Sequence, residues 1–191
     1  MSRLQGRDIA QIEDRFTEGH RAYVAAVHGV PAAWGWVATA TARIGEVEAS
    51  FSLLASDRYL WNFVTLAGFR GRGIYPRLLD AIVTAEALEA DRFWIAYAPE
   101  NHASGTGIRK AGFTLVADLS FDRAGRPVVR DIRDGGGSLA ARLLGLPEIN
   151  EAVAHCWKCA RGAAPAQSSC VSGPCACDYQ IADKSCAEEL V

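Results

Sequence analysis

Two places in this sequence hold residue types whose spacing suits chemistry. The first is Phe69-Arg70-Gly71-Arg72-Gly73-Ile74. Two glycines one residue apart let a backbone turn tightly and approach a ligand, and successive amide N–H groups can then point into one concavity. If a helix follows, its N-terminal dipole adds to the attraction for an anion. Arg70 and Arg72 supply positive charge, so a diphosphate would suit the loop. The dinucleotide fingerprint is not completed, because Pro76 stands where its third glycine belongs, and the Gly-Lys-Ser/Thr of a P-loop is absent.

The second place is the C-terminal end. All six cysteines, Cys156, Cys159, Cys170, Cys175, Cys177 and Cys186, fall in the last 36 residues. Cys156-Trp157-Lys158-Cys159 is a CxxC unit whose thiolates can grip one tetrahedral ion, and a later pair would close the site. In a reducing compartment such a cluster points to metal ligation before disulfides. Zinc is the first expectation. Six thiolates exceed the four that one zinc needs, so a redox pair, an iron–sulfur cluster or a small multinuclear site stay open, with His155 as an alternative ligand.

The elements that must position these residues are legible in part. Asp8 to about Glu18 carries Ile9, Ile12 and Phe16 at helical spacing. His20–His28 and Ala33–Thr41 read as paired strands joined through Gly29-Val30-Pro31, with Glu46–Leu53 continuing or following the second. Tyr59–Leu66 is a strand entering the glycine loop. From Pro76 to about Glu89 a stripe of Leu78, Leu79, Ile82, Val83 and Leu88 predicts a helix. Arg92–Ala98 is a further strand, and Asn101–Ala111 a short helix with Asn at its head and Gly112 past its end. Strands at Phe113–Phe121 and Pro127–Ile132 follow. Gly135-Gly136-Gly137-Ser138 reads as a linker, placing the domain boundary at 134, with short helices at Leu139–Leu144 and Ile149–Ala154 ahead of the cysteines.

Half of the 191 residues are apolar, and 20 Lys and Arg against 22 Asp and Glu give a net charge of −2. No basic stripe interleaved with aromatics predicts a nucleic-acid partner. No apolar run reaches membrane-spanning length, and the N-terminus lacks a signal-peptide core, so the expected location is the cytoplasm.

At this point the sequence resembles a known family. Val64-Thr65-Leu66-Ala67-Gly68-Phe69-Arg70-Gly71-Arg72-Gly73-Ile74-Tyr75-Pro76-Arg77-Leu78-Leu79 is similar to the acetyl-CoA segment of the GNAT N-acetyltransferases, and Asn101–Phe113 to their second coenzyme segment. One helix and one strand separate the two, as in the family. The resemblance covers roughly residues 8 to 134, with the family's first strand and helix abbreviated. It implies an α/β fold with a mixed, largely antiparallel central sheet flanked by helices, carrying here a cysteine-rich tail. It implies acetyl-CoA as coenzyme, held by Phe63, Val64 and Leu66 of a splayed strand, by Phe69, Arg70, Gly71, Arg72, Gly73 and Ile74, and by Asn101 and Ser104.

The implied acceptor is a small-molecule or peptide amine that attacks directly, since no cysteine lies in the expected core; a homodimer is compatible. Weak candidates for the catalytic groups are Glu46, Glu48, His102 and Asn62, with Asn62 and Val64 expected on one face of their strand. Trp34, Trp36, Tyr59, Trp61 and Phe63 are expected in the core more than in a substrate cage. Two departures stand out. The loop's usual Gln or Arg is Gly68, and where many members carry a tyrosine assigned to protonating the departing thiolate, this chain has Ile108. The alternative is therefore a metal- or redox-responsive sensor whose degenerate GNAT domain binds coenzyme A without efficient catalysis.

Overall fold

The computed structural model describes residues 1–98, 101–122, 124, 126–133, 135–149 and 179–185. Two short helices, α1 (Ser2–Gln5) and α2 (Ile9–Thr17), lead into the hairpin of β1 (Arg21–Val27) and β2 (Val30–Ala38). A small separate ribbon of β3 (Thr41–Ile44) and β4 (Ala49–Ser52) follows, then β5 (Asp57–Thr65), α3 (Ile74–Glu86), β6 (Arg92–Tyr97) and α4 (His102–Lys110). The chain continues through β7 (Thr114–Phe121), β8 (Pro127–Asp131), α5 (Gly136–Leu144), β9 (Glu148–Ile149) and β10 (Tyr179–Ser185). Among the described residues one eight-stranded sheet runs in the order β1-β2-β5-β6-β10-β7-β8-β9. Its pairs are antiparallel except β5 with β6 and β8 with β9.

Alternation along the strands sends side chains to two cores. On one face, Leu78, Leu79, Ile82 and Val83 of α3 and Ile108 of α4 pack against Val37, Leu60, Phe93 and Ile95. On the other, α5 and the β3–β4 ribbon cover Trp94, Val116, Leu119 and Val129. Neighbours Ile181 and Ala182 in β10 are buried one in each core, the period of two that a central strand requires. Leu88, counted in the helical stripe, lies beyond the end of α3 and is exposed.

The domain does not end at 134. Asp131 accepts hydrogen bonds from the amides of Arg133, Gly135 and Gly137 at 2.9, 3.0 and 3.0 Å, and a Cβ on Gly137 would come within 2.5 Å of the Asp131 backbone. The glycines read as a linker are therefore there for close approach and for the left-handed turn at Gly135 (φ +85°) that opens α5. Ala140, Ala141 and Leu144 of α5 are buried in the core. Beyond them, β10 sits between β6 and β7 and is tied down by its side chains. Lys184 Nζ donates to the Ala111 carbonyl at 3.2 Å and lies 3.6 Å from Asp80, while Asp183 faces Arg92. Ile149 pairs in β9 and not in a helix. The rest of that expected helix and all six cysteines lie outside the described residues.

Candidate functional site

β5 and β6 run side by side from Asp57 opposite Arg92 to Leu60 opposite Ile95, and there their pairing ends. Beyond that point, among the described residues, β5 keeps only its β2 partner, so one edge of Trp61–Thr65 opens onto a gap. A bulge sits at the parting. Trp36 is opposite Trp61 and Trp34 opposite Val64, so Asn62 and Phe63 together face Gly35, with Asn62 in the left-handed region at φ +52°. The extra residue re-aims the strand and places Trp61 and Asn62 on the same side, both lining a cleft. Phe63 turns the other way, toward α3. Gly35 is required here, since a Cβ would lie 2.0 Å from the Phe63 ring.

The amide of Leu66 donates to Ala32 at 2.9 Å, on the β2 side. Alternation turns Val64 the same way and leaves Phe63 and Thr65 facing the gap. Within the Phe63–Leu66 stretch expected to offer donors, the Val64 and Leu66 amides therefore serve the β2 ladder. The Thr65 carbonyl also accepts from Arg70 Nε at 3.1 Å, which anchors the loop to the strand end. Phe69 closes a short 3-10 turn over Ala67–Phe69, and the Arg72 guanidinium lies 5.6 Å from its ring centre. Gly71 and Gly73 both take positive φ (+74° and +67°), with nothing within 4 Å of where a Cβ would stand. Gly73 is the N-cap of α3, so Ile74 begins the helix, two residues ahead of the Pro76 start read from the sequence.

Across the gap lies α4. The Asn101 side-chain oxygen accepts from the Ser104 amide at 3.1 Å, which caps the helix and leaves only the Asn101 amide nitrogen for other work. Two interior glycines let neighbours press in: a Cβ on Gly105 would meet the Tyr97 ring at 2.6 Å, and one on Gly107 the Tyr75 ring at 2.3 Å. Tyr75 thus lies between α3 and α4, 5.5 Å from the Phe63 ring centre, with its hydroxyl 3.3 Å from Ser104 Oγ. Burial pushes its phenol up to about 12, so it carries its proton across the working pH range. Ile108, 1% exposed, has only a packing role. Tyr75 is absent from the sequence-based candidates, although Gly105 and Gly107 inside a helix are a legible sign of close packing.

On the other side of β5 opens a cleft of about 1260 Å³. Asn62 and Trp61 form part of its floor, α2 and His20 one wall, and the β3–β4 ribbon another. Arg15 of α2 stacks over Trp36 (4.9 Å) and Trp61 (4.5 Å). With its amide oxygen turned toward Arg15, Asn62 accepts from both guanidinium nitrogens at 2.9 and 3.2 Å. His20, only 7% exposed, packs edge-on to Trp61 and brings Nε2 to 3.3 Å from Glu18, while its Nδ1 is enclosed without a partner among the described residues. Burial outweighs the Glu18 carboxylate and lowers the imidazole's pKa, so His20 is neutral at pH 7.

Of the catalytic candidates, Asn62 lines this cleft. Glu48 sits exposed at φ +53° in the turn between β3 and β4 and is not part of the lining, and Glu46 occupies the preceding 3-10 turn. The ribbon lines the cleft through residues 41–45 and 50–52, and the two glutamates lie in the turn that joins its strands. His102 is exposed at the start of α4. Trp34, Trp36 and Tyr59 are buried as expected, but Trp61 and Tyr59 also line the cleft. Sequence spacing gives no hint of His20, Glu18 or Arg15, because a bulge and a loop bring them together.

No family model matches this sequence, and no curated protein matches it. Solved structures do. Salmonella typhimurium yncA, solved with its cofactor acetyl-CoA, superposes over 95% of this chain and 73% of its own, with a TM-score of 0.51 and 12% identity. The ribosomal-protein-S5-alanine acetyltransferase of Vibrio fischeri matches over 94% and 69%, with a TM-score of 0.51 and 10% identity. The fold is that of the GNAT acetyltransferases. At identities this low the likeness is one of fold, and it spans the chain well past residue 134. Within this GNAT fold the glycine loop follows directly on the parted end of β5, and Tyr75 of α3 reaches Ser104 of α4. Among the described residues no helix is long and apolar enough to cross a membrane, and no group of three or more His, Cys, Asp or Glu could hold a metal ion.

Proposed function

We propose that this protein binds acetyl-CoA in the gap between β5 and β6 and transfers the acetyl group to a primary amine held in the cleft behind β5. The observation that carries this reading is the parting of β5 from β6 beyond Leu60 and Ile95, directly ahead of the glycine loop. The residues fit the coenzyme. The loop amides around Gly71 and Gly73 and the first turn of α3 face open space suited to a diphosphate, with Arg72 beside them. The Phe63 and Thr65 amides face the gap, where an extended amide-bearing arm could add itself as a strand. Bound there, the coenzyme supplies an activated thioester.

The chain's own groups then divide the work. Asn62 and Trp61 position the amine next to the parting of the strands, and orientation supplies much of the rate. The amine must shed a proton to attack, and the Glu18 carboxylate, 3.3 Å from His20 Nε2 and lining the cleft, offers an outlet for it. As the new C–N bond forms and the C–S bond breaks, a backbone amide of the bulge stabilises the carbonyl oxygen. The departing thiolate takes a proton. Ile108 has none to give, and the paired Tyr75 and Ser104 hydroxyls are protonated groups between α3 and α4.

Calorimetry with acetyl-CoA and coenzyme A tests the binding half. Saturable uptake is expected, reduced at least about tenfold in Gly73→Val, whose β-branched side chain resists φ +67°. No uptake of either form, or equal uptake after Gly71 and Gly73 are both replaced by valine, would defeat the reading.

The cysteines support a second, separable part of the proposal. The CxxC spacing at Cys156 and Cys159 favours a zinc site completed from Cys170, Cys175, Cys177 and Cys186. Elemental analysis of the purified chain should find zinc that a chelator removes. Protein free of metal as isolated, with thiols that titrate fully, would rule this out.

A further inference from the structure

We infer that the acceptor is bipolar: a primary amine that also carries an anionic group, a carboxylate or a phosphate, received by Arg15. This rests on the acetyl-transfer reading for its amine half only. Arg15 is half-buried in the cleft wall and held rigidly in place. Its guanidinium stacks on two indoles, Nη1 donates to Gln5 at 3.2 Å, and both Nη1 and Nη2 reach Asn62. Every one of these partners is neutral. Among the described residues Arg15 has no carboxylate within ion-pair distance, and neither have Arg7 or Arg43, which line the same cleft.

A cation taken partly out of water without a counter-ion is costly, and a fold bears that cost where a ligand supplies the missing charge. Burial, with the nearby Arg7, disfavours the charged form of Arg15, while Glu18 favours it only at longer range. The planar fork still has donors free for a carboxylate or phosphate.

The cleft is not simply basic. Asp14 and Glu18 also line it, and Glu18 turns to His20 and not to an arginine. Negative and positive groups are therefore present together along α2, with Asn62 and Trp61 against Arg15. A neutral amine would leave the arginines uncompensated, and a polycation would be repelled by all three. An acceptor with both charges matches the α2 wall: its ammonium lies toward Glu18, where it can lose a proton, and its anion lies toward Arg15, one helical turn away.

The test uses the full chain with acetyl-CoA, following coenzyme A thiol release across one matched series: a short primary amine bearing a carboxylate, the same amine bearing a phosphate, its neutral amide, and its diamine. The anionic members are expected to exceed the amide in kcat/KM by about tenfold or more, the discrimination one charge-assisted bidentate contact provides. The stronger of the two names the anion. In Arg15→Gln that ratio should collapse toward unity, chiefly through KM. If Arg15→Gln does not fold, Arg15→Lys, which keeps charge but loses the fork, should give an intermediate ratio. Equal rates for anionic and neutral members, or a ratio untouched by either substitution, overturns the proposal. If no amine is acetylated, the acetyl-transfer reading has failed by itself. The anion site is then judged by thermal shift with the same compounds: stabilisation by the anionic members that Arg15→Gln removes upholds it, and no such stabilisation overturns it.

Discussion

A chain cut after Ile149 is expected to lose cooperative folding, although the sequence places the end of the domain before that point. β10 is the strand between β6 and β7, pairing with Arg92–Tyr97 on one side and with Thr114–Leu119 on the other. Without it, two central strands are left with unpaired edges and a slot runs through both cores where Ile181 and Ala182 were. Each buried backbone group left unsatisfied costs about 1–3 kcal/mol, and several are exposed at once. The whole stability of such a domain is about 5–15 kcal/mol. Circular dichroism should show a broad, weak thermal transition for the truncated protein against a sharp one for the full chain. A cut protein that melts as sharply, within about 5 °C of the intact one, would mean the sheet closes without β10.

The part of the fold legible in the sequence is the part whose signals are local. Leu78, Leu79, Ile82 and Val83 repeat at helical spacing and form the buried face of α3, and Asn101 and Gly112 mark the two ends of α4. The insertion of β10 was not legible, since pairing between residues 92–97 and 179–185 leaves no trace in either segment's pattern. Gly135-Gly136-Gly137 shows a different failure. A glycine that permits freedom and a glycine that permits close approach are the same residue, and only Asp131 pressing on Gly137 tells them apart.

The site divides the same way. The loop from Phe69 to Ile74 could be read because its chemistry lies in consecutive residues. The acceptor side could not. Period-two counting places Asn62 with Val64, whereas the bulge sets Asn62 beside Trp61 and turns Phe63 onto Tyr75. Gly35 is the long-range cause: without a side chain, it leaves the space that the Phe63 ring fills. The sequence leaves open whether residues 46–53 continue or follow β2, and only the separate β3–β4 ribbon shows that Glu46 and Glu48 sit in its end turn. Arg15 and His20, one on a surface helix and one before a strand, acquire meaning only when Trp36 and Trp61 are placed under them.

Replacing Glu86 with alanine should be among the most damaging single changes outside the site. Glu86 follows Leu79, Ile82 and Val83 on the inner face of α3 and is 0% exposed. Its carboxylate receives Arg58 Nε at 2.8 Å, Arg21 Nη1 at 2.7 Å and the Tyr23 hydroxyl at 2.5 Å, tying the helix end to β1 and β5. Burial alone would raise its pKa, but the hydrogen bonds from Tyr23, Arg58 and Arg21 outweigh it and hold the carboxyl below the ordinary glutamate range. Removing the carboxylate strands Arg58, itself 4% exposed, with carbonyls and the outer carboxylate of Glu89. Breaking a buried pair this way costs about 3–5 kcal/mol, and the lower end applies because Arg21 remains half in water. Loss of about 3 kcal/mol should lower the melting temperature by roughly 6–12 °C. The pH dependence carries the sign. Since the folded pKa is depressed, the ionised group contributes fully above the unfolded value of about 4.3, and the contribution disappears as pH falls through the folded pKa. The gap in stability between the natural chain and Glu86→Gln, measured by urea melts, should therefore be widest near neutrality and narrow below about pH 4. A gap that stayed constant to pH 3 would mean that shape, and not charge, is what Glu86 supplies.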